Sequence, residues 1–305
     1  MTRHFIELSD LGSDGLLRLL DAADRFRAER GTLRASKPLL GKSVALIFEK
    51  ASTRTRLSLE VAVTELGGHP VVISSQGSQL ARGEPIADTA RVLSRMVHAV
   101  TLRTFEHDRL KELAHESTVP VLNALTNHCH PMQLLADLQT VRRVKPNLRE
   151  LRYAWIGDGH NMANSWLEAA GLLQLSLTLA CPSGYDPNPA EIRRAEQRGA
   201  RVAVVRDAQS AAEGADVIST DVFTSMDQEA EHEERLRAFR GLCVDAAVLG
   251  CAARDVMVLH CLPAHRGEEI TAEVLDGPNS YVWDQAEARL HTSKAVLAWA
   301  MMADE

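Results

Sequence analysis

Short apolar runs alternate with helical patterns along almost the whole chain, and this alternation restricts the fold more than any other sequence feature. Residues 44–48 form one such run, and it is followed by apolar residues at helical spacing up to Leu66 and then by Gly67-Gly68. A strand that is repeatedly followed by a helix is typical of a parallel sheet with helices on both faces. The pattern therefore predicts an α/β chain of the doubly wound class.

The chain is long enough for two such sheets, since its 305 residues exceed one typical domain. Strands are predicted at residues 44–48, 70–74, 99–102, 119–123, 151–156, 176–180, 201–205, 216–220, 257–260 and 280–283. A long helix over residues 132–144 must end at Lys145-Pro146-Asn147, because proline breaks a helix. We therefore predict two doubly wound parallel-sheet domains joined by interdomain helices, with domains at residues 1–144 and 145–287.

Charge and hydropathy exclude several classes of function. The net charge of -7 and the pI near 6.0 argue against sequence-independent binding to nucleic acid, which needs a basic face. No apolar stretch approaches the about 20 residues that span a bilayer, and the N-terminus lacks the apolar region of a signal peptide. We expect a soluble cytoplasmic protein without nucleic acid or membrane partners.

The cysteines point to a reducing compartment. They are odd in number and lack C-x-x-C spacing, which favours free thiols over a disulfide framework: Cys129, Cys181, Cys243, Cys251 and Cys261. The segments His128-Cys129-His130 and His260-Cys261 could together hold zinc, but neither has the usual spacing of zinc ligands. We therefore predict no metal site.

A polar segment, Ser52-Thr53-Arg54-Thr55-Arg56, lies between the first strand and its helix. Free backbone N–H groups and the positive end of the helix dipole favour anions at such a turn. Ser52 is the natural N-cap, Arg54 offers two donors to a phosphate, and Thr53 and Thr55 add hydroxyls. The segment could also be an ordinary capped helix with solvated arginines, but five consecutive residues of this kind favour a phosphate cradle.

The second half of the chain opens with Gly157-Asp158-Gly159, which resembles a dinucleotide-binding turn. A nicotinamide enzyme would need an acidic residue at the end of the next strand to bind the ribose. That strand ends instead in Cys181-Pro182. We therefore expect the turn to supply polar atoms to a different ligand.

At a larger scale, several segments carry a family resemblance. The segment 48–56 and His130-Pro131-Met132-Gln133 resemble the carbamoyl phosphate signature of the aspartate and ornithine carbamoyltransferases. Residues 260–269, 221–226 and 287–291 resemble the ornithine branch, and the motifs occur in order along essentially the whole chain. The aspartate branch would have a lysine in the loop before Gly83-Glu84, whereas this chain has Arg82 there and no lysine between Lys50 and Lys111. His-Cys-Leu-Pro replaces that branch's Pro-Leu-Pro-Arg.

The resemblance implies carbamoyl transfer from carbamoyl phosphate to the δ-amine of L-ornithine by direct attack, without a cofactor. The residues implied in carbamoyl phosphate binding are Ser52, Thr53, Arg54, Thr55, Gln79, Arg103, His130, Gln133, Cys261, Leu262 and Arg289. Those implied in ornithine binding are Asn161, Asp221, Ser225 and Met226. Those with catalytic roles are Arg103, His130, Asp221 and Cys261. The C-terminal helix, about residues 288–305, is expected to pack back on the first domain.

Individual residues keep other readings. His130 could be a capping or core histidine, and Pro131 at the next position is compatible with both roles. Cys261 could tune the ionisation of the attacking amine together with Asp221, could be a small buried hydrophobe, or could form a carbamoyl-cysteine with His265 as base. Direct attack needs no covalent intermediate, because carbamoyl phosphate is already activated.

One departure from the family affects the choice of substrate. The ornithine branch usually has Ser-Met-Gly in its substrate loop, whereas this chain has Ser225-Met226-Asp227. An N-acylated ornithine or putrescine therefore remains an alternative substrate. A non-catalytic anion-binding protein is a separate alternative, since a fold alone does not establish a function. The resemblance also implies a homotrimer or a multiple of trimers, with the loop containing Gln79 reaching a neighbouring subunit. The direction of the pathway, arginine biosynthesis or breakdown, stays open.

Overall fold

The computed structural model describes residues 2–74, 83–225 and 229–302. The chain divides into two compact units. Unit 1 comprises Met1–Gln139 and Glu287–Glu305, and unit 2 comprises Thr140–Ala286. None of the helices within the described residues combines the length and the apolarity needed to cross a bilayer.

Strands and helices alternate through both units. The strands are β1 (Ser43–Phe48), β2 (His69–Ser74), β3 (Ala99–Arg103), β4 (Val121–Leu125), β5 (Arg152–Ile156), β6 (Ser176–Ala180), β7 (Arg201–Val205), β8 (Val217–Thr220) and β9 (Met257–His260). The helices are α1 (Gly12–Glu29), α2 (Thr53–Glu65), α3 (Ile86–Leu93), α4 (His107–Glu116), α5 (Pro131–Val144), α6 (Asn161–Leu173), α7 (Pro189–Gln197), α8 (Ala208–Ala212), α9 (His232–Ala238), α10 (Ala246–Cys251), α11 (Ala272–Leu275) and α12 (Val282–Met301).

Each unit contains one sheet of parallel strands, which confirms the predicted α/β class. The strand order is β2-β1-β3-β4 in unit 1 and β7-β6-β5-β8-β9 in unit 2. The pairs are parallel in both sheets. Helices cover such sheets, so the inner strands β3 and β8 are buried along their whole length while the edge strand β7 is largely exposed.

The predicted strand at residues 280–283 is wrong. Ser280 forms only an isolated parallel bridge with Val258, and α12 begins at Val282. The backbone N–H of Gln285 already donates to the carbonyl of Tyr281 in a helical bond of 2.8 Å. An apolar run this short does not distinguish a strand from the first turn of a helix.

Strand order indicates where each sheet binds a ligand. In unit 1, the chain leaves β1 toward one edge of the sheet and leaves β3 toward the other edge. In unit 2, it leaves β5 and β8 toward opposite edges in the same way. In open α/β sheets, ligands bind beyond the carboxyl ends of strands at such a switch point. The β1–α2 turn and the end of β3 lie at the first switch point. The β5–α6 turn and the end of β8 lie at the second.

Candidate functional site

The N-terminus of α2 begins at the switch point of unit 1. Ser52 is extended, with φ -163° and ψ 114°, and its Oγ accepts the backbone N–H of Thr55 at 3.2 Å. This is the predicted N-cap, which leaves other N–H groups of the first turn able to bind an anion. Thr53 is exposed and Arg54 is half-buried in the same turn, while Thr55 is buried.

Two arginines converge on the Thr55 hydroxyl. Nη1 of Arg103, the last residue of β3, donates to Thr55 Oγ1 at 3.4 Å, and Nη2 of Arg289, in α12, donates to the same oxygen at 2.7 Å. The two arginines are 6% and 5% exposed. Burying a guanidinium costs free energy, and two such groups repel each other at this separation. A doubly charged anion at the helix N-terminus would offset both terms.

Gln133 and His130 complete this cluster at the start of α5. Nη1 of Arg289 donates to Gln133 Oε1 at 2.7 Å, and Gln133 Nε2 donates to Asp137 Oδ1 at 2.8 Å. Burial, and then the charges of Arg289 and Arg103, hold the pKa of His130 well below its usual value. The imidazole is therefore neutral near pH 7, and it can polarise a carbonyl oxygen through one N–H without adding a third cation.

The glycine turn of unit 2 is not shaped for a dinucleotide. The backbone N–H of Gly159 donates to the carbonyl of Tyr185 at 3.0 Å. A Cβ at position 159 would lie 2.3 Å from the backbone of Asp186 and Pro187. Protein backbone therefore occupies the space that a pyrophosphate would need beside the second glycine. This geometry and the absence of a terminal acid on β6 both argue against the nicotinamide alternative.

The ends of β8 and β9 bring Asp221, His260 and Cys261 together. One ligating atom from each of these side chains lies within 4.8 Å of the others. Burial raises the pKa of Asp221, and nearby Glu269 raises it further, whereas His260 and a hydrogen bond from the Cys261 thiol oppose the shift. A carboxyl group with these neighbours is a typical candidate for proton handling.

A buried histidine and carboxylate position this group. His260 Nδ1 accepts the backbone N–H of Leu262 at 2.8 Å, so the ring proton lies on Nε2, which is 2.9 Å from Glu269 Oε1. The backbone N–H of His265 also donates to Glu269 Oε1, at 2.6 Å. Leu262 has a left-handed φ of 57°, which costs a non-glycine residue on the order of 1–2 kcal/mol. The strained loop holds Cys261 at the end of β9.

The loop after β8 is fastened by Arg235 of α9. Arg235 Nε donates to the carbonyl of Phe223 at 2.5 Å, and its Nη2 forms an ion pair with Asp158 in the glycine turn. The guanidinium also lies 4.8 Å from the ring centre of Tyr185. Arg235 is only 4% exposed. One side chain thus connects the loop that carries Asp221 and Ser225 to the turn that precedes Asn161.

The remaining predicted residues have these positions. Asn161 is the first residue of α6 and is half-buried, and Ser225 is half-buried at the end of a described segment. Gln79, Met226 and the variant position Asp227 lie outside the described residues. One cluster of predicted residues lies in unit 1 and consists of Thr55, Arg103, His130, Gln133 and Arg289. A second cluster, Asp221 and Cys261, lies in unit 2. Their roles toward ligands stay predictions.

Sequence reasoning gave no role to Asp137, Asp158, Arg235 or Glu269. Asp137 lies one helical turn after Gln133, so its contact could have been read from the i, i+4 spacing. The pair of Asp158 and Arg235 is 77 residues apart in the chain, and no local pattern signals it.

A separate cleft of about 860 Å³ in unit 1 contains none of the predicted residues. Its lining includes Lys42, His98 and Pro120, which precede β1, β3 and β4. It therefore lies at the amino ends of these strands, whereas ligands of parallel sheets bind at the carboxyl ends. We do not assign the predicted anion to this cleft.

Comparison with protein families matches both units. Residues 3–143 match the carbamoyl-P binding domain of aspartate/ornithine carbamoyltransferase, and residues 149–300 match the Asp/Orn binding domain. These two matches together include most of the chain.

Relatives and solved structures agree with these matches. Ornithine carbamoyltransferase from Acidothermus cellulolyticus is 55% identical over 99% of this chain and 97% of its own length. The enzyme of that name from Halorhodospira halophila is 50% identical over 98% of this chain and 99% of its own length. The structure of ornithine carbamoyltransferase from Pyrococcus furiosus is 44% identical and covers 100% of this chain and 98% of its own, with a TM-score of 0.95.

Proposed function

Because the chain belongs to the aspartate/ornithine carbamoyltransferase family, we propose that it transfers the carbamoyl group of carbamoyl phosphate to the δ-amine of L-ornithine, giving L-citrulline and phosphate. The observation that carries this proposal is the buried pair of guanidiniums from Arg103 and Arg289. They meet at a capped helix N-terminus beside a neutral histidine. This arrangement suits a phosphate dianion joined to a carbonyl group.

Unit 1 binds and activates carbamoyl phosphate. Ser52, Thr53, Arg54 and Thr55 hold the phosphate through hydroxyls, guanidinium donors and backbone N–H groups of α2. Arg103 and Arg289 contribute the buried positive charge. Because the departing phosphate gains charge as its bond to carbon breaks, these cations stabilise the transition state more than the bound substrate.

The carbonyl end of this substrate faces His130 and Gln133. A neutral imidazole donates one N–H to the carbonyl oxygen, which becomes negative as the tetrahedral intermediate forms. Gln133 is held between Arg289 and Asp137, so its amide has a fixed orientation toward the carbamoyl NH₂ group.

Unit 2 binds the amino acid and prepares its δ-amine. Asn161, Asp221, Ser225 and Met226 bind the α-amino and α-carboxylate groups, and Cys261 lies beside Asp221 near the attacking amine. The amine must lose a proton before it attacks. A new C–N bond then forms, the C–O bond to phosphate breaks, and the intermediate loses the remaining amine proton to solvent or phosphate. Cys261 assists this ionisation and forms no covalent bond.

A panel of amines tests the proposal. Purified protein is incubated with carbamoyl phosphate and L-ornithine, N-acetylornithine, putrescine or L-aspartate, and the carbamoylated product is measured. We expect the highest kcat/KM with L-ornithine. A preference for another amine would overturn the substrate, and binding of carbamoyl phosphate without transfer to any amine would overturn the enzymatic activity.

A matched pair of arginine variants tests the phosphate site. Arg54→Ala should lose on the order of 2 kcal/mol or more of transition-state stabilisation, or about 30-fold in kcat/KM. Arg56→Ala is the control, because Arg56 pairs with Glu60 on the exposed face of the same helix, at 2.7 Å. Equal effects of the two substitutions would remove Arg54 from the site.

Membership of the same family supports a proposal about assembly and location. We propose a cytoplasmic homotrimer or a multiple of trimers, in which the loop containing Gln79 completes the site of a neighbouring subunit. Gln79→Ala and Arg54→Ala proteins, each weakly active alone, should recover activity when they are unfolded and refolded together. Full activity of a diluted monomer, or no recovery in verified mixed trimers, would contradict a shared site.

A further inference from the structure

We propose that Glu7, His107 and His128 form a binding site for a divalent first-row transition metal ion such as Zn²⁺, separate from the residues assigned to catalysis. The three side chains come from the N-terminal segment, the first turn of α4 and the loop between β4 and α5. One potential ligand atom of each lies within 4.8 Å of the other two. Nothing in the proposed transfer reaction uses these residues.

The distances between the ligand atoms are close to those around a bound ion. Glu7 Oε1 lies 3.1 Å from His107 Nε2 and 3.8 Å from His128 Nε2. Metal–ligand bonds of about 2.0–2.2 Å with tetrahedral angles give ligand separations of roughly 3.3 Å. Small side-chain movements would therefore bring all three atoms to one ion.

The ligand types select the kind of metal. Two imidazoles and one carboxylate suit zinc and neighbouring transition metals, whereas magnesium and calcium prefer oxygen ligands. The side chains of His107, Glu7 and His128 are 11%, 19% and 29% exposed. Solvent can therefore deliver the ion and supply a water molecule as a fourth ligand.

Neighbouring groups already orient the three ligands. His107 Nδ1 lies 3.0 Å from Thr126 Oγ1, which directs Nε2 toward Glu7. A hydrogen bond at the far nitrogen is the usual support of a metal-bound histidine. The rings of His107 and His128 are 4.6 Å apart between centres, which restricts the movement of both.

The backbone that carries Glu7 is also fixed. The backbone N–H groups of Ile6 and Glu7 donate to Asp10 Oδ2 at 2.6 and 3.0 Å. Asn123 Nδ2 in β4 donates to the carbonyl of Ile6 at 2.8 Å. The carboxylate is therefore held near the histidines before any ion binds, which reduces the entropy lost on binding.

Competition from charges already present limits the affinity. An ion must displace the direct contact between Glu7 Oε1 and His107 Nε2, which are 3.1 Å apart. Lys111 Nζ lies 4.0 Å from the same oxygen and opposes a cation. Its side chain is 54% exposed and can move away into water.

Zinc titration of the chelator-treated full-length protein tests the site. Heat of binding is measured for wild type, His128→Gln and His107→Gln, with His115→Gln as the control because His115 is exposed on the same helix as His107. We expect at least about tenfold weaker binding in the first two variants and unchanged binding in the control. Magnesium should give no comparable binding to wild type.

Thermal unfolding with and without zinc distinguishes a lost metal site from a variant that fails to fold. Zinc should raise the Tm of wild type and His115→Gln but raise it much less in His128→Gln, whose side chain is the most exposed of the three ligands and the least able to affect folding. The Asp221, His260 and Cys261 group also has metal-binding residue types, so Cys261→Ala is titrated in parallel. Zinc binding that disappears in Cys261→Ala but persists in His128→Gln, or no zinc binding by wild type, would overturn the proposal.

Discussion

Single residues at the candidate site have protonation equilibria that the surrounding protein displaces from their ordinary values. Burial lowers the pKa of His130 and raises that of Asp221, so in each case it disfavours the charged form. For the histidine, neutrality suits hydrogen bonding to a carbonyl beside two arginines. For the aspartate, burial of the carboxylate costs free energy, which suggests a trade of stability for function.

Asp221→Asn should therefore raise the Tm while lowering kcat at least about 100-fold. The folded-state pKa of Asp221 is raised, so its contribution to stability is complete below the unfolded value of about 4 and falls as pH rises through the folded value. The gain in Tm over wild type should accordingly increase with pH in this window. Unfolding scans across pH measure it, and a lower Tm at neutral pH would contradict this account.

Cys261→Ala should shift the pH dependence of transfer. The thiol hydrogen bond lowers the pKa of Asp221, so its loss raises that pKa and moves the acid limb of kcat/KM for ornithine to higher pH. We expect kcat to fall about tenfold without complete loss of activity. Cys261→Ser retains a donor and should restore the acid limb. Complete inactivation with a trappable carbamoyl adduct on wild-type Cys261 would favour covalent catalysis instead.

At the scale of helices and loops, a few capping and bridging side chains position the ligand-facing atoms. Ser52 ends the β1–α2 turn by capping α2, and Arg235 joins the loop after β8 to the glycine turn. Neither contact is part of a sheet or a helix ladder. Their loss should therefore affect binding more than the overall fold.

Ser52→Ala should lower the free energy of unfolding by about 1 kcal/mol, since the Thr55 N–H loses its partner, and should also weaken carbamoyl phosphate binding. Asp207→Ala is the control, because Asp207 caps α8 by accepting the Ser210 N–H at 2.8 Å. It should cost similar stability without changing affinity. Calorimetric titration with carbamoyl phosphate separates the effect on stability from the effect on binding. Equal affinities of wild type and Ser52→Ala would show that Ser52 is only a cap.

Arg235→Lys should raise the KM for ornithine by about tenfold while leaving the KM for carbamoyl phosphate nearly unchanged. A lysine cannot reproduce the planar fork that reaches both Phe223 and Asp158. Arg237→Lys, on the exposed face of α9, is the matched control. Steady-state kinetics with each substrate varied gives the two KM values. A parallel rise in both would show a general loss of structure rather than a looser loop.

At the scale of the whole molecule, unit 1 is built from two distant parts of the chain. Its last helix, α12, supplies Arg289 and packs against the first 139 residues. Phe5 and Trp299 meet edge to face with ring centres 6.2 Å apart, and Lys294 forms an ion pair with Glu65 of α2. Folding of unit 1 can therefore be completed only after Glu287–Glu305 has been synthesised.

A chain that ends at Ala286 should lose the cooperative folding of unit 1. The deletion removes buried side chains such as Leu290, Val296 and Leu297, each worth about 1.5–3 kcal/mol. Their sum approaches the 5–15 kcal/mol that is typical of whole domains. Trp283→Ala, at an exposed position of the same helix, should leave the Tm nearly unchanged. Calorimetric unfolding compares the two proteins, and an unaltered transition in the truncated chain would refute the dependence.

Most of the architecture followed from local sequence patterns. Apolar runs and helix-stop residues indicated the strands and the α/β class, because side-chain periodicity and backbone preference act over a few neighbouring residues. The cap at Ser52 was readable for the same reason. The run at residues 280–283 was misread because a few apolar residues fit either a strand or a helix start. Roles for residues such as His130 came from the family resemblance and not from periodicity.

Long-range neighbours were decided only by the tertiary structure. No local pattern indicates that Arg289 meets Thr55 across 234 positions, that Arg235 meets Asp158 across 77, or that Glu7 meets His107 across 100. Such pairs form where the sheets and helices bring distant segments together, and burial then sets their charge states. The sequence by itself determined which side chains were available and which segments were strands or helices. The fold determined which of them share a site, because proximity and desolvation are properties of the packed chain.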